Sequence, residues 1–188
     1  GIKNPKYASR EGAWMGDNGM SNVVLATQVV EDGVVVNKKG KSFNGNVSVL
    51  DPVACEVILR FFMPVDGVRV YNPFGGGVQF GFVTGDNGYE YLSSEIRQNQ
   101  CDANNAICKD FYNTKWIKSD SSKFTPKQKY DLVFTCPPYY QVEDYLDYDG
   151  NPPEGELNSI PTYEEFRDTL FTGYKKAIEV LNDNCFFV

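Results

Sequence analysis

The segment whose residues most clearly indicate a chemical role is Cys-Pro-Pro-Tyr at residues 136–139. It follows the mostly apolar run 130–135. The run is typical of a short buried strand, and two consecutive prolines end it because neither can donate to a sheet ladder. The sequence therefore predicts a rigid turn at the carboxyl end of a strand, followed by the aromatic pair Tyr139 and Tyr140. Ligands bind at this edge in open α/β sheets, although a proline turn with two packing tyrosines would also explain these residues.

A second candidate segment is Asn-Pro-Phe-Gly-Gly-Gly at residues 72–77, between a predicted strand at 68–71 and a predicted helix. Glycine lets the backbone approach a ligand closely, and the amino terminus of a helix adds partial positive charge. Many α/β turns contain two glycines, so this segment becomes informative only together with the residues that follow it.

Two carboxylates end the next two predicted strands. Glu95 closes the strand at 89–96, about 20 residues after the glycine turn, where Rossmann-like sites hold an acidic residue for ribose hydroxyls. Asp120 follows the strand at 115–118 and could bond the edge of an adenine ring. The plainer interpretations are a surface carboxylate for Glu95 and a turn or helix-capping role for Asp120.

The elements that must position these residues follow an α/β pattern. Asp51 and Pro52 are typical of a helix start, and Thr162 with Glu165 predicts a capping box for a later helix. Strands alternating with helices predict a largely parallel sheet with covering helices, and the run 185–188 would begin its fifth strand. An Asp-Gly pair between valine-rich runs at 23–30 and 34–36 predicts a β-hairpin.

Length and composition restrict the function. The 188 residues, 41% of them apolar, suffice for one domain with a real core, which we expect over residues 47–188 after an arm and hairpin at 1–46. Histidine is absent, which excludes Ser-His-Asp hydrolysis and His-ligated zinc, and no metal site is expected. The net charge of −7 predicts weak DNA binding by this chain alone.

The order of the motifs makes the pattern specific. Taken together, the glycine turn, Glu95, Asp120 and Cys-Pro-Pro-Tyr resemble the S-adenosylmethionine-dependent DNA amino-methyltransferases, which modify adenine at N6 or cytosine at N4. The likeness is greatest to phage-associated members in which an acidic, tyrosine-bearing segment, here 141–147, follows Cys-Pro-Pro-Tyr. It covers residues 47–188 and implies a three-layer Rossmann-like methyltransferase fold.

The resemblance also implies the site. S-adenosylmethionine would be the cofactor, and the residues that bind it would be Asn72, Pro73, Phe74, Gly75, Gly76, Gly77, Glu95 and Asp120. The residues that meet the target base would be Cys136, Pro137, Pro138 and Tyr139. In this family the Pro137 carbonyl would orient the base amino group, and Tyr139 would stack on the base, which must be flipped out of the duplex.

The chain departs from the family in three places. Asn72 replaces the usual Asp, and Cys136 stands where Asp, Asn or Ser is usual and is a poorer acceptor. The last residue, Val188, falls inside the expected fifth strand, whereas the family's sheet continues with two more strands. We therefore expect the recognition residues to follow Val188, to lie in the loop 141–160, or to come from a second chain.

Several alternatives stay open at this point. The chain could be a degenerate methyltransferase that acts as a binding or regulatory module, or it could methylate RNA or a protein amide. Cytosine C5 methylation through a Cys136 nucleophile is disfavoured because the cysteine precedes the prolines and no Glu-Asn-Val motif is present. No apolar stretch long enough to span a membrane and no export signal are visible. The five cysteines indicate reduced thiols in a cytosol, and the resemblance implies that of a bacterial or phage-infected cell.

Overall fold

The structure, a computed structural model, describes residues 28–31, 34–37, 50–111, 113–142, 145–147 and 149–188. The first two of these ranges are strands β1 (Gln28–Glu31) and β2 (Val34–Asn37), which pair antiparallel as the expected hairpin. The expected arm at 1–22 and the expected domain boundary at 46–47 lie outside the described residues.

The main sheet is parallel throughout. Its strands lie in the order β5-β4-β3-β6-β7, so β3 is central. Strands β4 and β5 are added on one side of β3, and β6 and β7 on the other side. The strands are β3 (Arg69–Asn72), β4 (Glu90–Glu95), β5 (Thr114–Lys118), β6 (Tyr130–Val133) and β7 (Leu181–Phe187). The helices around the sheet are α1 (Pro52–Phe62), α2 (Gln79–Asp86), α3 (Gln98–Ile107) and α4 (Tyr163–Glu179). The expected Rossmann-like α/β architecture is confirmed.

Local signals determine where the helices begin. The Asp51 carboxylate accepts hydrogen bonds from the Val53 and Ala54 amides at 2.7 and 3.2 Å, which caps α1. Thr162 caps α4 by accepting from the Glu165 amide at 3.3 Å. The expected capping box is present in altered form, because the Glu165 carboxylate accepts from the Thr162 hydroxyl instead of the Thr162 backbone.

Several element boundaries differ from expectation, and β6, for example, ends at Val133 rather than at 135. Helix α3 ends at Ile107, where the chain turns and the Phe111 amide donates to the Cys108 carbonyl at 2.8 Å. Strand β7 begins at Leu181 rather than 185, and its pairing with β6 shifts register between Leu181 and Phe186. Asn184 has a φ of 61° in this irregular stretch, a left-handed conformation that Asn tolerates better than most residues.

The core lies between the sheet and the helices that cover it. Five of its fully buried large side chains are Trp116, Tyr71, Leu59, Leu132 and Val70. All five cysteines are among the described residues, and none is in a disulfide. In the part of the chain that the structure describes, no helix has the length and apolar character needed to cross a membrane.

Candidate active site

One cavity lies at the carboxyl edge of β3, β4, β5 and β6, where the sequence places its candidate residues. The predicted site residues that line it are Pro73, Phe74, Gly75, Gly76, Glu95, Asp120, Cys136 and Pro138. The four that do not line it are Asn72, Gly77, Pro137 and Tyr139. The structure therefore brings three of the predicted strand ends and the Cys-Pro-Pro-Tyr turn to one place.

The glycine turn is held from both sides by neighbouring elements. The Gly76 amide donates to Glu95 Oε2 at 2.8 Å, and the Gly76 carbonyl accepts from Asn104 Nδ2 at 2.8 Å. Gly76 has a φ of 53°, and no atom lies within 4 Å of the position that a Cβ would take. A Cβ on Gly75 would instead collide with the Ser93 side chain. Gly75 thus permits close packing on β4, whereas Gly76 leaves open space at the wall of the cavity.

Glu95 is a buried carboxylate, with 7% of its surface exposed, and the surface interpretation of this residue is wrong. Its Oε2 accepts from Gly76, and its Oε1 accepts from the Arg97 amide and from Arg97 Nε, both at 3.0 Å. These three bonds fix the carboxylate at the end of β4. They join the turn after β3 to the start of α3.

Arg97 forms a buried ion pair with Glu95 and stacks under Tyr145 from the loop that follows Cys-Pro-Pro-Tyr. Its guanidinium carbon lies 5.0 Å from the centre of the Tyr145 ring, within cation–π range. Burial by itself would lower the pKa of Arg97, but the charge of Glu95 and its hydrogen bond raise that pKa above the ordinary value. Arg97 therefore stays charged inside the cavity wall.

Asn72 has a structural position rather than a position facing the cavity. Only 4% of its surface is exposed. Its Oδ1 accepts from the Phe74 amide at 3.1 Å, and its Nδ2 donates to the Tyr91 hydroxyl at 3.2 Å. The side chain shapes the first residues of the glycine turn and does not line the cavity.

Asp120 has the turn-forming role considered for it and also lies in the cavity wall. Its carboxylate accepts from the Ser122 amide at 2.8 Å and from the Ser122 hydroxyl at 2.7 Å, which is the turn-forming role. Lys123 Nζ lies 3.2 Å from the same carboxylate, at the surface. Asp120 also lines the cavity, so its free acceptor capacity is available to a ligand there.

The Cys-Pro-Pro-Tyr turn presents different side chains to different surroundings. Cys136 is exposed and lines the cavity together with Pro138. Tyr139 is 63% exposed and stands outside the cavity. Tyr140 instead packs on α4, where its hydroxyl donates to the Pro161 carbonyl at 2.8 Å and its ring centroid lies 5.2 Å from that of Phe166.

The loop after Cys-Pro-Pro-Tyr covers the cavity, which the sequence did not indicate. The additional loop residues in the wall are Tyr145, Gly155, Glu156 and Leu157. Asp147 of this loop accepts from the amides of Gln98 and Asn99 at 3.2 and 3.1 Å, so it caps the start of α3. The acidic composition of 141–160 indicated a carboxylate-rich loop, but no local pattern indicated which carboxylate turns inward.

Glu156 is the carboxylate of this loop that is buried in the cavity wall. Only 5% of its surface is exposed, and its Oε1 accepts from the Asn158 amide at 3.1 Å. Burial raises the pKa of Glu156 to about 7, the negative charge of Glu95 adds to this increase, and the Asn158 bond and the Arg97 charge oppose it. Among the described residues no group of histidine, cysteine and carboxylate side chains is arranged to hold a metal ion.

Comparison with known proteins gives the fold its context. No protein-family model matches the sequence, and no curated protein matches it. The methyltransferase CcbJ from Streptomyces caelestis has a similar structure, with a TM-score of 0.50 and 15% identity over 73% of this chain and 48% of CcbJ. TrmN from Thermus thermophilus has a TM-score of 0.49 and 15% identity over 71% of this chain and 36% of TrmN. The glycopeptide N-methyltransferase MtfA, complexed with sinefungin, has a TM-score of 0.49 and 16% identity over 72% of this chain and 51% of MtfA.

This chain therefore spans about a third to a half of the length of these structures. At such low identity the likeness concerns the fold alone. The chain has the Rossmann-like α/β fold of the methyltransferases.

Proposed function

We propose that this chain binds S-adenosylmethionine and transfers its methyl group to the exocyclic amino nitrogen of adenine or cytosine in DNA. The observation that carries the proposal is the meeting of two independent features in one cavity. The glycine turn with Glu95 and Asp120 supplies a nucleoside-type site, and the Cys-Pro-Pro-Tyr turn adjoins it. Each segment alone has a plainer explanation, but their convergence on one sheet edge favours a shared ligand-binding role.

The residues of the cavity fit this cofactor. Gly76 has open space where any other residue would carry a Cβ, so the backbone admits a close ligand there. Glu95 has an anchored carboxylate that retains acceptor capacity for ribose hydroxyls. Asp120 offers a carboxylate at the end of the neighbouring strand. When bound, S-adenosylmethionine supplies a methyl group already activated on a sulfonium.

The residues of the Cys-Pro-Pro-Tyr turn would hold the acceptor. In the described part of the chain no backbone amide donates to the Pro137 carbonyl, so this oxygen can accept from a substrate amino group. The exposed ring of Tyr139 can stack on a flipped base, and such stacking contributes about 1–3 kcal/mol per base. Binding and orientation are thus the contributions that the protein makes, which suits a reaction whose leaving group is already activated.

A second candidate is methylation of a protein amide by the same turn. The net charge of −7 and the exposed acidic residues at the start of α4, Glu164, Glu165 and Asp168, favour it, because a DNA backbone would be repelled by these carboxylates. The start of α4 is close to the turn, since Tyr140 packs on Phe166. The two candidates share the cofactor and differ in the acceptor.

A methyl-transfer assay separates the candidates. Purified protein is incubated with S-adenosylmethionine labelled in its methyl group, together with duplex DNA, RNA or an unmodified protein mixture. Label in DNA that is incorporated more slowly with Tyr139→Ala supports the first candidate, and label in protein alone supports the second. Calorimetric binding of S-adenosylhomocysteine without transfer to any acceptor would show a binding module instead. A protein that binds neither cofactor nor product would contradict the proposal altogether.

A further inference from the structure

The number of acceptor sites on Glu95 limits what this residue can do for a bound ribose. An ionised carboxylate offers about four acceptor positions. The Gly76 amide, the Arg97 amide and Arg97 Nε occupy three of them in the structure. A ribose presents two hydroxyl donors, at its 2′ and 3′ positions. Glu95 can therefore accept one of them without giving up a bond that holds the turn or Arg97.

A second buried carboxylate faces the same cavity. Glu156 lines the wall together with Glu95 and Arg97, and it comes from the loop that covers the cavity. The Asn158 amide donates to its Oε1 at 3.1 Å, and an ionised carboxylate offers about four acceptor positions, so Glu156 can also accept from a ligand hydroxyl.

The loop holds Glu156 in this place by contacts of its own. Gly155 has a φ of 89° and lies so near Asp120 that a Cβ would be 3.0 Å from Asp120 Oδ2. Tyr145 of the same loop covers Arg97, and Asp147 caps α3. These contacts fix the part of the loop that precedes Glu156 against the ends of β4 and β5.

We propose that Glu156 is a second ribose-binding carboxylate, which accepts one ribose hydroxyl of the bound nucleoside while Glu95 accepts the other. This inference rests on the proposed function, because it assumes a nucleoside cofactor in the cavity. It assigns the covering loop a role in holding the cofactor through one specific hydrogen bond that Glu156 accepts. The charge of Arg97 lies beside both carboxylates and offsets part of their mutual repulsion.

The competing explanation is that Glu156 serves the loop alone, by capping the short helical turn Leu157–Ser159 through the Asn158 amide. Both explanations predict some effect of substitution on stability. They differ in whether the effect of substitution on affinity depends on a particular ribose hydroxyl.

The experiment measures affinity by calorimetry at pH 8 for S-adenosylhomocysteine and for its 2′-deoxy and 3′-deoxy analogues. We compare the parent, Glu156→Gln, and the control Glu154→Gln, whose side chain is 95% exposed in the same loop. Glu156→Gln should weaken S-adenosylhomocysteine binding roughly 5- to 30-fold, the difference between a charge-assisted and a neutral hydrogen bond. It should weaken binding of one deoxy analogue much less, because that analogue lacks the hydroxyl in question. The control should bind all three ligands as the parent does.

The outcomes separate this inference from the proposed function. If the parent does not bind S-adenosylhomocysteine, both are overturned. If the parent binds it but Glu156→Gln binds as tightly, or weakens all three ligands equally, only the role of Glu156 is overturned. Should Glu156→Gln fail to fold, the parent decides the question: both deoxy analogues should bind it more weakly than S-adenosylhomocysteine, and an unchanged affinity for either analogue overturns the role of Glu156.

Discussion

The Gly76 amide donates a hydrogen bond to Glu95 Oε2 at 2.8 Å, which joins the turn after β3 to the end of β4. The same carboxylate forms the buried ion pair with Arg97. Glu95 thus holds two parts of the cavity wall before any ligand is present. A ligand that bonds to Glu95 meets a group whose position is already determined by the fold.

Glu95→Gln should therefore reduce both stability and cofactor affinity. The substitution leaves the buried Arg97 guanidinium without its counter-charge, and breaking a buried pair in this way costs about 3–5 kcal/mol. Chemical denaturation and calorimetry with S-adenosylhomocysteine measure the two effects. Glu90→Gln is the matched control, because its pair with Arg69 is exposed and worth about 0–1 kcal/mol. Equal stability losses for the two variants would contradict the importance of the buried pair.

Tyr139→Ala should impair methyl transfer without affecting the fold. The side chain is 63% exposed and stands outside the cavity, so melting temperature and S-adenosylhomocysteine affinity should stay near the parent values. Loss of one stacking contact should reduce kcat/KM roughly 5- to 150-fold on DNA. Tyr139→Phe should keep most of the activity, because stacking requires only the aromatic face.

Tyr140→Ala provides the contrast to Tyr139→Ala. Its ring packs on Phe166 and its hydroxyl bonds to Pro161, so we expect a lower melting temperature. Methyl transfer per folded molecule should fall less than in Tyr139→Ala. The base-stacking role would be wrong if Tyr139→Ala transferred methyl groups to DNA as fast as the parent.

Asn72→Asp should lower stability and should not strengthen cofactor binding. From the sequence, a restored carboxylate could face the cofactor's ammonium group, but the structure places this side chain on Phe74 and Tyr91. A carboxylate at a position only 4% exposed is penalised by desolvation, and it loses the donor of Asn72 Nδ2. We expect a loss of about 1–3 kcal/mol in chemical denaturation. Clearly tighter binding of S-adenosylhomocysteine would show that Asn72 faces the ligand after all.

The stability of the protein should decrease with rising pH through the ionisation of Glu156. The pKa of Glu156 rises from its ordinary value of 4.5 to about 7 on folding, so the folded state binds the proton more tightly than the unfolded state. The contribution of Glu156 to the free energy of unfolding is greatest below pH 4.5 and decreases between pH 4.5 and 7. Above pH 7 it no longer changes, and the total decrease is about 3 kcal/mol.

Denaturation curves of the parent and of Glu156→Gln between pH 4 and 8 test this dependence. The difference in stability between the two proteins should shift in favour of the variant as the pH rises. The charged groups beside Glu156 are Glu95 and Arg97, and Asp120 in the same wall is paired with Lys123. These groups are present in both proteins, so the difference between the two curves reports the ionisation of Glu156. A pH-independent difference would show that folding does not change the pKa of Glu156.

The sequence alone determined the elements and the order of the motifs. Asp51 and Thr162 mark helix starts, and the prolines after β6 mark a strand end, because capping and the missing proline amide act within a few residues. The alternation of strands and helices then implied a parallel sheet, and Glu95 and Asp120 at strand ends implied one shared edge. These inferences need only local propensities and the geometry common to parallel sheets.

Only the tertiary structure decided which side chains face the cavity. Asn72 turns toward Tyr91 because the neighbouring strand places a buried hydroxyl there, and Glu156 turns inward because its loop is held by Arg97, Asp120 and the start of α3. Such contacts join residues that are distant in sequence, and a loop rich in carboxylates contains no local signal for the one to be buried. The orientation of a side chain follows from the sum of its long-range contacts, which a pattern of neighbouring residues does not contain.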